Sequence, residues 1–269
     1  MNKQPYQHHV EIHGKQHEEW LILVHGAGGS GKSWYKQIPA FAEHFRVLSY
    51  DLRGHGQSAG LNQHDEPAYS FPLIVQDLLS IMEKYQIKSA HFCGCSLGTV
   101  ILQELVLTAP DRVKSMVLAG AVTKFYGWSL LLYLITKHVL IHVIKKDILY
   151  PLMATIFMPF RLAKTARRLF IRESKKLKPE VFYKWWDLTS TFTVYKRLDE
   201  CPVPALIVMG EYDYTFLSGS FLLQKKFLHA EHVILPKAGH VCNIDQPQAF
   251  NELALAFLQK QRRQKTLAT

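Results

Sequence analysis

Short apolar runs that alternate with helical patterns constrain this chain more than any other feature. The runs lie at 20–24, 47–50, 90–93, 113–119, 205–209 and 232–235, each too short for a helix of ordinary length. Between them, 33–45, 71–85, 99–109, 218–227 and 248–259 carry apolar residues at helical spacing. Strands and helices in this order predict an α/β fold, a mostly parallel sheet covered on both faces. Ligands of such sheets sit beyond the carboxyl ends of the strands. The 269 residues, 48% of them hydrophobic, suit one large unit with an insertion better than two domains. The expected division is a core of 1–122 and 201–269, with 123–200 inserted as a helical cap, because so long a segment exceeds an ordinary connection.

Gly94-Cys95-Ser96-Leu97-Gly98 fits G-x-S-x-G, between the run ending at Cys93 and the helical pattern from Thr99. A strand turning sharply into a helix holds its central residue in a strained conformation that small neighbours permit. The serine hydroxyl then projects at the positive end of the following helix. A competing pattern comes earlier: Gly26-Ala27-Gly28-Gly29-Ser30-Gly31-Lys32-Ser33 satisfies the phosphate-cradling G-x-x-x-x-G-K-[ST], again between a strand and a helix. The text around each match separates the two. His25-Gly26 closes the first strand, and Asp51-Leu52-Arg53-Gly54-His55-Gly56-Gln57-Ser58 forms a second glycine-rich turn with no task in a nucleotide-binding protein. Downstream, Gly210-Glu211-Tyr212-Asp213 closes a strand, and Gly239-His240 follows the last one.

These five motifs, in this order from residue 25 to residue 240, resemble the α/β-hydrolase fold family: an HG-x-G loop, a D-x-R-G-x-G-x-S turn, the serine elbow, G-x-x-D and a terminal G-H. The resemblance implies Ser96 as nucleophile, His240 as base and Asp213 as the acid that orients it. It also implies an oxyanion hole from the backbone amides of Leu97 and Ala27, with Gly28 as the neighbouring alternative. A serine hydroxyl is a poor nucleophile at neutral pH and needs such a base within hydrogen-bond reach. Asp187, Asp199 and Glu211 are weaker candidates for the acid. Asp51 reads as a brace for its own turn, and His8, His9 and His64 as solvated. His25, Gly26, Gly28, Cys95 and Trp128 are the expected substrate contacts, the first four beside the reacting groups and the last in the cap; His25 and His55 can alternatively brace their loops.

The cap is both greasy and basic. Apolar side chains run from Trp128 to Ile144, interrupted by Lys137, His138 and His142, so the stretch falls short of a membrane span. Met153, Phe157, Met158, Phe160, Phe182, Trp185 and Trp186 add to it and favour a lipophilic substrate over a sugar or a highly charged metabolite. Between Lys137 and Lys178 eleven Lys or Arg stand against two acids, +9 of the chain's formal +10. Arg161, Lys164, Arg168, Arg172 and Lys175 recur at helical spacing, with Leu162, Ala166 and Leu169 on another face. Such a helix suits an anionic membrane surface or an acidic carrier; nucleic acid is not expected, since no nucleic-acid module accompanies the charge. The four cysteines lack disulfide or zinc-finger spacing, and the opening residues lack a secretory apolar run. A reducing, cytoplasmic setting is expected, with room for peripheral membrane contact, and neither metal nor cofactor. The expected activity is a serine esterase or related acyl hydrolase acting through an acyl-Ser96 intermediate. The same triad leaves open carbon–carbon bond hydrolysis or a lyase reaction, and a low-turnover ligand receptor or stress regulator is the rival of another class. A nucleotide-binding P-loop protein ranks last.

Overall fold

The apolar runs become strands because each can be covered on both faces. In the computed structural model, which describes residues 5–62, 65–125, 127–189 and 194–266, seven strands form one sheet of order β1-β3-β2-β4-β5-β6-β7. They are β1 (Val10–His13), β2 (Trp20–Val24), β3 (Arg46–Tyr50), β4 (Ala90–Cys95), β5 (Val113–Ala119), β6 (Ala205–Gly210) and β7 (Ala230–Leu235). All neighbours pair in parallel except β1, which runs antiparallel to β3 at the edge. The central strands β4 and β6 are buried throughout, as expected of a sheet with helices on both sides. β1 is absent from the expected set because Val10-Glu11-Ile12-His13 is only four residues long, too short for its alternation to stand out and without the continuous apolar run that marks the interior strands.

Helices α1 (Ile38–Ala42), α2 (Phe71–Lys84) and α3 (Leu97–Thr108) follow β2, β3 and β4. The helix expected over 33–45 is instead a 3-10 turn at Gly31–Trp34 and the short α1, which starts at Ile38 with Pro39 in its first turn. Proline fixes the geometry of a first turn and lacks the N–H that a continuing helix would use. Helix α3 is buried on nearly every side, and its Glu104 is satisfied by a forked pair of bonds from Arg197 at 3.0 and 3.1 Å. Between β5 and β6 the described residues are helical: α4 (Gly127–Ile135), a π-helical stretch (Thr136–Leu140), α5 (Ile141–Val143), α6 (Lys146–Phe157), α7 (Lys164–Ser174) and α8 (Pro179–Thr189). After β6 come α9 (Leu217–Gln224), α10 (Cys242–Asp245) and α11 (Pro247–Thr266). No helix among the described residues is long and apolar enough to cross a membrane.

Candidate active site

Ser96 sits between β4 and α3 with φ 53° and ψ −118°, in the left-handed half of backbone space that a serine rarely occupies. The flanking glycines make this turn possible by close approach. A Cβ on Gly98 would lie 2.2 Å from the Val24 carbonyl oxygen, and one on Gly94 would lie 2.8 Å from the Gly98 backbone. The elbow is tied down by Ser96 N donating to Ala119 O at 2.9 Å, and by the Thr99 hydroxyl donating to Ser96 O at 2.7 Å.

Three side chains from three strand ends meet here. Ser96 Oγ lies 2.9 Å from His240 Nε2, and His240 Nδ1 lies 2.8 Å from Asp213 Oδ2. Asp213 is buried, so its carboxylate favours an N–H on Nδ1 and leaves Nε2 to accept the serine proton. The other Asp213 oxygen accepts the Phe216 amide at 3.1 Å, which locks the carboxylate. Phe216 also packs its ring 5.0 Å from the His240 ring. The alternative acids stand elsewhere: Glu211 is exposed and takes the Lys237 amide, Asp199 pairs with Lys226, and Asp187 is exposed.

The glycine-rich loop after β2 shows which amides are committed. Gly28 N donates to His55 Nε2 at 3.0 Å, so this alternative oxyanion donor is already engaged. Among the described residues no protein acceptor engages the amides of Ala27 or Leu97. The Ala27 carbonyl in turn accepts the Tyr150 hydroxyl of α6 at 2.8 Å, so both ends of the Ala27–Gly28 peptide are held. His55 can accept because burial pushes its pKa down to about 3, the neighbouring His25 adding to the effect. Its Nδ1 lies 3.1 Å from Arg53 O and is left to donate. The resemblance to a phosphate cradle ends with these bonds. Gly29 N donates to Gly26 O, Gly31 N to Asp51 Oδ1 at 2.7 Å and Ser33 N to Ser30 O, while Lys32 is exposed. A carboxylate already occupies the place of an anion.

Asp51 braces its turn through those contacts and by taking the Gln57 amide at 2.7 Å. Arg53 makes a buried fork with Asp77 at 2.8 and 2.5 Å. His8 is a correction: it is buried rather than solvated, with Nδ1 2.9 Å from Asp51 O and Nε2 3.5 Å from Asp77. His9 is half-buried and meets Glu11 and Gln57, and His64 lies outside the described residues.

A cavity of about 180 Å³ opens over Ser96, with Ala27, Leu97, His55 and His240 in its floor. Phe125, Tyr133, Tyr150, Met153, Phe157, Phe182 and Trp185 wall it, and among the described residues no Lys, Arg, Asp or Glu lines it. Of the expected substrate contacts, Gly28 is in the lining and four are not. His25 is fully buried; its Nδ1 lies 2.8 Å from Gly26 O, and its Nε2 accepts the Leu52 amide at 2.9 Å. Gly26 supports the elbow from behind, where a Cβ would stand 3.1 Å from the Ser96 Cβ. Cys95 is buried on the far side of β4, its thiol near Asn243, with burial pushing its pKa up to about 12. Trp128 faces outward and packs on Tyr214. Met158, Trp185 and Trp186 do line the cavity, whereas Phe160 is exposed. Tyr150, Phe125 and Phe216 carry no motif of their own; Phe216 was reachable only as the residue one turn beyond Asp213. No cluster of metal-binding side chains occurs among the described residues.

A strand–Ser–helix elbow on a mostly parallel sheet, with a histidine and an aspartate from later strand ends, defines a protein of the α/β-hydrolase class. The chain has the α/β-hydrolase fold, and the family model described as alpha/beta hydrolase fold matches residues 19–138. Along the sequence it is 25% identical to 3-oxoadipate enol-lactonase 2 of Acinetobacter baylyi, over 89% of this chain and 88% of that protein. It is also 25% identical to a pimeloyl-[acyl-carrier protein] methyl ester esterase of Pectobacterium carotovorum, over 89% and 94%. The solved enol-lactonase of Burkholderia xenovorans LB400 superposes with a TM-score of 0.81 at 22% identity, covering 94% of this chain and 96% of that one.

Proposed function

We propose that the protein is a serine hydrolase that cleaves a carboxylic ester, thioester or related acyl bond of a lipophilic small molecule. One observation carries this reading: the hydrogen-bonded series Ser96, His240, Asp213 opens onto a cavity walled by hydrocarbon and aromatic rings. His240 Nε2 takes the Ser96 proton as Oγ attacks the acyl carbon, and Asp213 stabilises the imidazolium. The Ala27 and Leu97 amides receive the developing oxyanion, and each such donor is worth about a hundredfold to a thousandfold in rate. His240 then protonates the leaving group, and an activated water releases the acyl group. The names of the two relatives, a lactonase and a methyl ester esterase, agree with ester-like chemistry. The described lining holds no Lys or Arg, which gives weight to an uncharged ester ahead of carbon–carbon hydrolysis of a carboxylated ring-fission product on the same triad.

A fluorophosphonate probe should label the wild-type protein and not Ser96→Ala, and p-nitrophenyl esters of rising chain length should show turnover that increases with apolar length until the cavity is filled. A folded wild-type protein that neither labels nor turns over any ester would overturn the assignment and favour a ligand receptor.

A further inference from the structure

The helix that roofs the cavity is apolar on the wrong side for a protein surrounded by water. Along α4, the π-helical stretch and α5, Trp128, Leu131, Ile135, Val139 and Val143 recur every three or four residues and are between 42% and 73% exposed. On the opposite face Ser129, Tyr133 and Thr136 are buried, and Tyr133 lines the cavity. A surface helix in water turns hydrocarbon inward and polar groups outward; this segment turns Leu132, Leu140, Ile141 and Ile144 inward but also presents the stripe outward, with His138 and His142 exposed beside it. Single exposed apolar side chains are ordinary, but a continuous stripe of five marks an interaction surface.

Two further features identify what covers it. The stripe continues into an exposed aromatic row, in which Trp128 packs on Tyr214 at 5.2 Å, Tyr214 on Phe160 at 6.2 Å and Phe160 on Tyr212 at 5.2 Å. Trp and Tyr, apolar with one polar atom, are favoured at the headgroup level of a bilayer. Basic residues border the same segments: Lys137 and Lys145 along the helix, and Arg161 directly after Phe160. None of these three has an acidic partner among the described residues, and the nearby Asp147 is taken by Lys146 at 2.8 Å.

We propose that the outer face of α4 and α5 docks on an anionic lipid membrane, the apolar stripe entering the acyl boundary while the bordering cations meet headgroup phosphates. An acidic protein carrier would be read by the charges alone and gives no reason for exposed indole and branched alkyl groups. Docking in this pose sets the inner face of the helix over Ser96 and its outer face in the lipid. A lipophilic molecule leaving the bilayer would then meet the cavity with little exposure to water. The docking stands on the surface and not on the catalytic reading.

Flotation with vesicles of phosphatidylcholine plus phosphatidylserine, against vesicles of phosphatidylcholine alone, tests it. The wild-type protein and Ser96→Ala should float equally with the anionic vesicles and weakly with the neutral ones. The double variant Leu131→Asp/Val143→Asp should bind at least about tenfold more weakly, yet turn over a soluble short-chain ester at the wild-type rate. Lys137→Glu/Lys145→Glu should also weaken binding, most strongly at low salt. Wild-type protein that does not float, or an aspartate variant that floats unchanged, overturns the proposal. So does a dimer in analytical ultracentrifugation that those aspartates dissociate while no vesicle binds, or capture of an acidic carrier protein with no vesicle binding.

Discussion

Gly98→Ala tests the close approach on which the serine elbow depends. The new Cβ would stand 2.2 Å from the Val24 carbonyl oxygen and 3.1 Å from that of His25, where real Cβ atoms stay beyond 3.0 Å. Both neighbours are backbone atoms, and Val24 is paired with Gly94 in the sheet, so neither can rotate away. The first turn of α3 must therefore retreat from β2 by roughly 1 Å. Overpacking of this kind costs about 1–3 kcal/mol, and contact with rigid backbone puts this site near the upper end, about 3 kcal/mol. The same retreat carries the Leu97 amide and Ser96 away from His240. A misplacement of about 1 Å is worth about a hundredfold in rate. Urea unfolding measures the first effect, and the rate of fluorophosphonate labelling, taken where the variant is folded, measures the second. Gly60→Ala is the internal control: its Cβ would meet nothing within 4 Å, and its φ is not positive. It should stay within about 0.5 kcal/mol of wild type with unchanged labelling. If Gly98→Ala matches Gly60→Ala in both assays, the steric account of the elbow is wrong.

Two other outcomes follow from the groups around the oxyanion loop. Tyr150→Phe removes the hydroxyl that holds the Ala27 carbonyl, and should cost about 1–3 kcal/mol of stability and lower kcat about tenfold with little change in KM; an unchanged kcat would show that the loop holds its place without the bond. Burial pushes His25 down to about 4 and His55 down to about 3, so both are neutral in the fold, and the stability they add is full above pH 6.5 and lost as pH falls from there toward their folded values. At about pH 5 the loss is about 2 kcal/mol for each. Asp245, raised to about 6 by burial, has the opposite sign and gives back about 1 kcal/mol over the same range. The urea midpoint should therefore drop between about pH 7.5 and pH 5 by the equivalent of about 3 kcal/mol, and His55→Gln should flatten the drop; an unchanged midpoint would mean that the two rings are protonated in the fold.

The strands and the juxtaposition of Ser96, His240 and Asp213 were legible because each is tied to a local pattern of residue types. Gly94 and Gly98 stand where a Cβ would meet backbone at under 3 Å, and Ser96, Asp213 and His240 each stand close to a glycine or strand end that marks its turn, so their spacing survives as a motif. The substrate contacts were not legible, for a geometric reason. Cys95 and His25 adjoin the reacting groups in sequence, but strand alternation and loop bonding turn their side chains away from the cavity. In α4 the apolar pattern runs right round the helix, so periodicity could not tell the cavity face at Tyr133 from the outer face at Trp128. Tyr150 bears no local signal, because its role depends on an Ala27 carbonyl 123 residues away.

The second glycine-rich turn, which had no task in a nucleotide-binding reading, acquires one from the bonds it makes. Asp51 fixes Gly31 at one end of the oxyanion loop, and His55 fixes Gly28 near the other. Arg53, anchored on Asp77, offers its carbonyl to the indole N–H of Trp185 in α8 and stands 3.1 Å from His55 Nδ1. The loop is thus held from the core by Asp51 and His55, and from the inserted helices by Tyr150, with Trp185 tying those helices to the same turn. A helix displaced at the surface therefore has two direct routes to the peptide that follows Ala27. Under the proposed mechanism this coupling makes α6 and α8 part of the reaction geometry as well as a wall of the cavity, so changes in either that disturb these bonds should lower kcat even where they touch no substrate.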